Sequence, residues 1–238
     1  MASLIFHTLI IIFFQTAFVL VLSWCTLSCR FPPSPSELHE ITLMKFLYLY
    51  DPVACGRVES YNFTSTAVNR TTMSSIIWPA KNVVAAGFRW KLKFSLTLHM
   101  LWLSLGLASA LYGRHLLGLY LTVLPFTAAG AALLVSDIYI VITYLMDIPY
   151  TSTEESIIKY IGAGEEYLGE LPPALSADDT DTSWVPLLFA YMSSRAVVLW
   201  IINYWLVLDN FTEGLAAHRA IKKAAMEPKR RRRERQYR

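Results

Sequence analysis

The sequence has 238 residues, of which 55% are hydrophobic and 16% charged, with a mean hydropathy of +0.40 and a formal net charge of +3. A soluble domain normally carries about a quarter charged residues, so this composition argues against a water-soluble enzyme fold and points to lipid. The remaining charges collect in two loops and one tail, the way a multi-pass membrane protein partitions its residues.

Crossing a hydrocarbon core of roughly 30 Å takes about 20 residues, and four apolar stretches are long enough. The first is residues 4–27. It has the look of a secretory signal, but its apolar core is too long and no Lys or Arg precedes it. The stretch Ser23-Trp24-Cys25-Thr26-Leu27-Ser28 is also a poor cleavage site, so it is expected to stay as a helix.

A polar first loop, residues 28–92, follows. Pro32, Pro33 and Pro35 give it a rigid start, and the apolar, aromatic stretch 41–50 is expected to be a strand or a half-buried helix against the membrane. Two glycosylation sequons, at Asn62 and Asn69, lie well inside the loop. Cys29 and Cys55 flank it and are expected to pair if it faces an oxidising compartment; the alternative leaves both, with Cys25, as thiols. Three cysteines at these spacings fit no zinc pattern.

The second span is expected at 93–112 and the third at 116–146. Only Gly113-Arg114-His115 joins them, so they must be antiparallel neighbours. Gly106, Ala108 and Ala110 are suited to close packing against the run 128–132 of the third span, and Pro125 is expected to kink that span. An acidic second loop, 147–183, leads to the fourth span at 184–208, where Trp184, Trp200, Tyr204 and Trp205 are candidate interface anchors. A basic tail, 209–238, follows. The expected fold class is therefore all-α and integral to the membrane, a four-helix transmembrane bundle with two extracellular loops.

Orientation follows from basic residues near the span ends. The tail holds ten Lys or Arg, whereas residues 151–183 hold one base against eight acids. The tail is thus expected in the cytosol and both loops outside. A third sequon, at Asn210, falls on the cytosolic side and is expected to stay unmodified. The tail is expected to begin as a helix, break at Pro228, and bring Lys229, Arg230, Arg231, Arg232 and Arg233 onto anionic cytosolic-leaflet lipid. A nucleic-acid partner is disfavoured because no aromatic stacking surface accompanies these bases.

Charges inside spans are costly and mark pairing or functional sites. Asp137 and Arg195 lie at depths matched to within roughly 3 Å at 1.5 Å per residue, and His99 enters the same half of the membrane. A structural ion pair and a proton or ion path both fit these residue types. The two loops carry opposite charge: eight bases against four acids over 30–93, and nine acids against one base over 147–183. The paired acids match no calcium loop, no nucleophile or base accompanies them, and no metal or cofactor motif is present.

This layout resembles the tetraspan proteins that include claudins, tetraspanins and the insect pasiflora-like septate-junction proteins. The resemblance is one of topology. The tetraspanin Cys-Cys-Gly motif is missing, and Trp78 stands without the claudin Gly-Leu-Trp and its two cysteines. It implies a non-enzymatic organiser of protein assemblies or cell–cell contacts at the plasma membrane, binding other membrane proteins or itself. The alternatives are a small transporter or channel subunit using His99, Asp137 and Arg195, and an accessory factor of the endoplasmic reticulum.

Overall fold

The computed structural model describes residues 2–32, 40–56, 61–67, 70–76, 81–113, 117–162, 181–195 and 197–236; in the strands and from Lys229 onward only the backbone is described. Four helical stretches are long and apolar enough to cross a membrane: Leu4–Leu27, Val83–Tyr112, Leu119–Tyr150 and Trp184–Pro228.

Helix α1 (Ala2–Leu27) is unbroken. Beyond it, α2 (Glu40–Met44) runs into a π-helical turn, Lys45–Leu49, so the aromatic stretch is helical rather than extended. A one-turn helix, α3 (Pro52–Cys55), is capped by Asp51, whose carboxylate accepts from the Val53 amide at 3.1 Å. Strands β1 (Tyr61–Ala67) and β2 (Arg70–Ile76) form an antiparallel hairpin with Tyr61 opposite Ile76. This hairpin is the one departure from helix among the described elements.

Helix α4 (Val83–Tyr112) starts ten residues before the expected Lys93. The cause is Asn82, whose Oδ1 accepts from the Ala85 amide at 3.0 Å while its Nδ2 donates to the Phe46 carbonyl at 2.6 Å. A side-chain cap of this kind satisfies an otherwise orphaned helix-end amide. Arg89 and Lys91 therefore sit on the helix and not in the loop. Lys91 donates to Thr143 Oγ1 at 2.7 Å and lies 4.5 Å from the centre of the Tyr144 ring.

The third span opens with a π-helical turn, Leu119–Val123, and continues as α5 (Leu124–Asp147). Pro125 lies in the first turn of α5, and the irregularity expected of it takes the form of this wider turn. Helix α6 (Glu154–Ile161) has a reciprocal cap between Thr153 and Ser156 and ends at Gly162, which adopts the left-handed conformation a C-cap requires.

The fourth span is not the continuous helix its sequence suggests. It is split into α7 (Trp184–Ser193) and α8 (Val198–Gln236), with Arg195 at φ +53° and Val197 at φ +61° between them. Nor does the chain break at Pro228: α8 runs 39 residues straight through it.

The chain divides into two compact units. The first comprises residues 1–19, 95–137 and 195–238. Its core is built on Ile12, Trp102, Phe126, Ala129 and Leu133. Close approach there depends on small residues: a Cβ at Gly130 would lie 2.6 Å from Val207 and 2.9 Å from the Trp102 ring, and one at Gly106 would press on Leu9 and Phe126. Around this core Phe6, Phe13, Phe14 and Phe18 of α1 remain exposed, Phe14 at 67%. An apolar surface of that extent suits a helix solvated by lipid.

The second unit comprises residues 20–94 and 138–194. Leu43, Phe46, Leu47, Ile157 and Ile158 are buried in its core. The Tyr48 ring lies 4.6 Å from Phe189 and 5.4 Å from Tyr144, with Phe88 at 5.4 Å from Phe189. Each such aromatic contact adds about 0.5–1.5 kcal/mol beyond the area it buries.

Candidate functional site

In the first unit Asp137, Arg195, Gln15 and Asn203 gather into one network. Arg195 Nε stands 3.0 Å from Asp137 Oδ2, and its other nitrogens donate to Asp137 Oδ1 at 3.4 Å and Gln15 Oε1 at 2.8 Å. Oδ2 gains Coulombic contact without an aligned N–H, so the pair is ionic more than directional. Gln15 closes the network through a reciprocal amide pair with Asn203: its Nδ2 donates to Gln15 Oε1 at 2.9 Å and its Oδ1 accepts from Gln15 Nε2 at 3.0 Å. Gln15, Asp137 and Asn203 are all buried.

A second rung lies one heptad further along both helices. Asn210 Nδ2 donates to Thr8 Oγ1 at 2.9 Å and to the Leu206 carbonyl at 2.8 Å. Thr8 and Gln15 on α1 thus meet Asn210 and Asn203 on α8 in antiparallel register. Spacing by seven keeps both rungs on one seam. The Asn210 sequon is therefore occupied by internal hydrogen bonds and buried.

His99 does not join this network through its hydrogen bonds. Its Nδ1 lies 2.7 Å from the Ser95 carbonyl, one turn back on its own helix. A carbonyl only accepts, so Nδ1 carries the hydrogen and Nε2 is left as a buried acceptor without a hydrogen-bond partner. The expected triad is thus a bonded pair, Asp137 and Arg195, joined by two amides that a search for charges passes over. Of the expected interface anchors, Trp200 instead turns inward, donating to the Leu134 carbonyl at 3.2 Å.

In the second unit Cys29 and Cys55 are joined by a disulfide with their Cα atoms 5.6 Å apart. Arg89 braces the same point. Its guanidinium donates to the carbonyls of Thr26 and Leu27, both at 3.1 Å, at the C-terminus of α1. It also lies 3.5 Å from the Cys55 sulfur and 3.8 Å from Asp51 Oδ2. A cation here satisfies orphaned carbonyls and complements the negative end of the helix dipole.

Asp147 holds the second unit at another point. Tyr48 donates to its Oδ2 at 2.9 Å and Tyr160 to its Oδ1 at 2.8 Å. Burial, first, and the Asp147 charge, second, push the Tyr48 phenol well above its ordinary range; burial and the Asp147 hydrogen bond do the same to Tyr160.

Asn62 lies in strand β1, while Asn69 falls outside the described residues. Lys229, Arg230, Arg231, Arg232 and Arg233 lie on α8. Among the described residues no group of three or more His, Cys, Asp or Glu is placed to hold a metal ion. No protein family, curated protein or solved structure matches the chain, and what stands is a four-span topology with an internally neutralised polar core.

Proposed function

We propose that the chain is a non-enzymatic tetraspan membrane protein that organises protein assemblies or cell–cell contacts at the plasma membrane, with its two loops outside as binding surfaces. The observation that carries this reading is the construction of the second unit. Segments that merely connected spans would need no core, yet residues 40–56 and 154–161 share one with Phe88, Tyr144 and Phe189. A disulfide and the Asp147 clamp secure it. Such bracing suits a surface that must keep its shape while another protein binds. The opposite charges of the two loops add a means of matching partners or copies.

The test is to express the tagged full chain in cultured cells, mixed with untagged cells lacking it. Assembly at contacts predicts sugar on Asn62 and Asn69 that resists endoglycosidase H, and enrichment where two expressing cells touch. Sensitive sugar with an internal reticular pattern would instead make it an accessory factor of the endoplasmic reticulum.

One observation favours a second reading, a small transporter or channel subunit: the fourth span is interrupted at a charged residue, as transporter helices often are. Against it, Arg195 and Asp137 already satisfy one another with Gln15. Normal surface delivery of an Asp137→Asn variant with loss of a measured ion flux would support transport.

A further inference from the structure

The C-terminus of α1 is closed by a cysteine where a glycine is usual. The Cys29 amide donates to the Thr26 carbonyl at 3.2 Å, and the Arg30 amide to the Cys25 carbonyl at 3.0 Å. These two bonds put Cys29 at the left-handed position of a Schellman cap, with φ +57°. A non-glycine residue is held there only by its surroundings, and here its side chain is bonded to Cys55.

Both sulfurs also face one cation. Arg89 Nη1 lies 3.5 Å from Cys55 Sγ and 3.8 Å from Cys29 Sγ. The Arg89 side chain is only 11% exposed, so water screens its charge poorly at that range. Asp51, 3.8 Å from Nε, offsets part of it. A neutral disulfide draws little from such a charge. The thiolates formed when the bond opens draw far more, because a neighbouring arginine stabilises them.

The two sulfurs are not equivalent. Cys55 Sγ is the closer to Nη1, while Cys29 Sγ lies 4.0 Å from the Leu27 carbonyl oxygen, whose partial negative charge opposes a thiolate. Cys55 is therefore the better leaving group and Cys29 the sulfur to be attacked. Neither residue is fully buried. We propose that Cys29–Cys55 is a thiol-exchange site that takes two electrons from a dithiol, with Arg89 stabilising the departing Cys55 sulfur. One thiolate of the dithiol bonds to Cys29 Sγ as the Sγ–Sγ bond breaks, and the electron pair of that bond leaves on Cys55. The second thiolate then bonds to the first sulfur of the dithiol and expels Cys29. The dithiol ends as a disulfide; of its two protons, one goes to Cys29 and the other to water. The proposal rests on the geometry of the second unit and not on the assembly reading above.

The test uses the full chain with Cys25→Ser in detergent micelles, and dithiothreitol as the dithiol. Thiols are counted by mass after alkylation of quenched samples. Reduction at pH 7 is expected to run about tenfold faster in the native chain than in the chain unfolded in urea. In the reduced protein, the pH profile of iodoacetamide alkylation should put Cys55 below the ordinary thiol value of about 8.5 and below Cys29. Arg89→Gln should remove the acceleration and Arg89→Lys should keep most of it, with elution profiles checking that both fold. If Arg89→Gln does not fold, the pH profile with Arg89 present decides alone. A purely structural bond would be shielded by folding, so slower reduction in the native chain would overturn the proposal. So would a Cys55 thiol at or above its ordinary value, or a folded Arg89→Gln variant that exchanges as fast as the chain with Arg89.

Discussion

The guanidinium of Arg195 reaches the carboxylate of Asp137 at 3.0 Å from a residue whose backbone is left-handed. A β-branched or bulky side chain rarely adopts that conformation, and it persists only where surrounding contacts over-determine it. Here those contacts are Asp137 and Gln15, so the ion pair and the interrupted helix belong to one arrangement.

Removing one partner of this pair leaves a buried charge uncompensated. Asp137→Asn alone should destabilise the detergent-solubilised protein by about 3–5 kcal/mol. The double change Asp137→Asn with Arg195→Gln should recover a good part of that loss. Thermal unfolding of the four proteins measures the coupling; strictly additive effects would show that the two side chains do not act as a pair.

Val197 gives a prediction of unusual sign. Glycine inside a helix is normally destabilising by roughly 0.5–1 kcal/mol, but at φ +61° it relieves strain. Val197→Gly should therefore hold or raise the unfolding temperature, while Leu199→Gly, one residue inside α8, should lower it. If both fall equally, the helix is not interrupted at this position.

The two amides can be tested without touching a charge. Gln15→Leu takes an acceptor from Arg195 and both partners from Asn203, leaving buried groups unsatisfied at about 1–3 kcal/mol. Adding Asn203→Leu should partly reverse this, since both members of the amide pair are then apolar. A double variant less stable than either single change would contradict the ladder.

The Cys29–Cys55 bond closes a segment with 26 residues of separation, for which chain entropy gives about 3.5 kcal/mol. Cys29→Ser with Cys55→Ser should lose roughly that much and abolish the mobility difference between reduced and unreduced samples. Only Cys25 is left in this variant, so a persisting difference could come only from a bond between the Cys25 residues of two chains.

Alkaline pH should weaken the second unit through Tyr48 and Tyr160. Both phenols donate to Asp147 only when neutral, and their pKa values are raised above the ordinary 10.0. The folded chain then keeps protons that the unfolded chain releases, so their contribution is full below about pH 10 and is lost as pH rises beyond it. Tyr48→Phe with Tyr160→Phe should be less stable at neutral pH yet decline less steeply above about pH 10. Parallel declines in wild type and variant would place the titrating groups elsewhere.

The pairing of Asp137 with Arg195 was legible because two charges in apolar runs at equal depth have few other partners. Gln15 and Asn203 carry the same signal in weaker form, as amides inside apolar runs. The interruption of the fourth span was not legible: Ser194, Arg195, Ala196 and Val197 include neither Gly nor Pro, and tertiary contacts override local preference there. The start of α4 was hidden for the opposite reason. Arg89 and Lys91 lower local hydropathy, yet both charges are used within the second unit, Arg89 on the end of α1 and Lys91 on Thr143.

The ladder between α1 and α8 has a consequence for how the protein is made. Gln15 and Asn203 are separated by 188 residues, and Thr8 and Asn210 by 202. At roughly 5–20 residues per second of synthesis, their partners emerge on the order of 10–40 s apart. For that interval the first helix waits in lipid with its amide unanswered, and the nascent chain is exposed to quality control. Ribosome stalling or premature termination before the final helix would strand the earlier spans in an incompletely bonded state. The amide of Gln15 on the first helix is therefore answered only once α8 has been made.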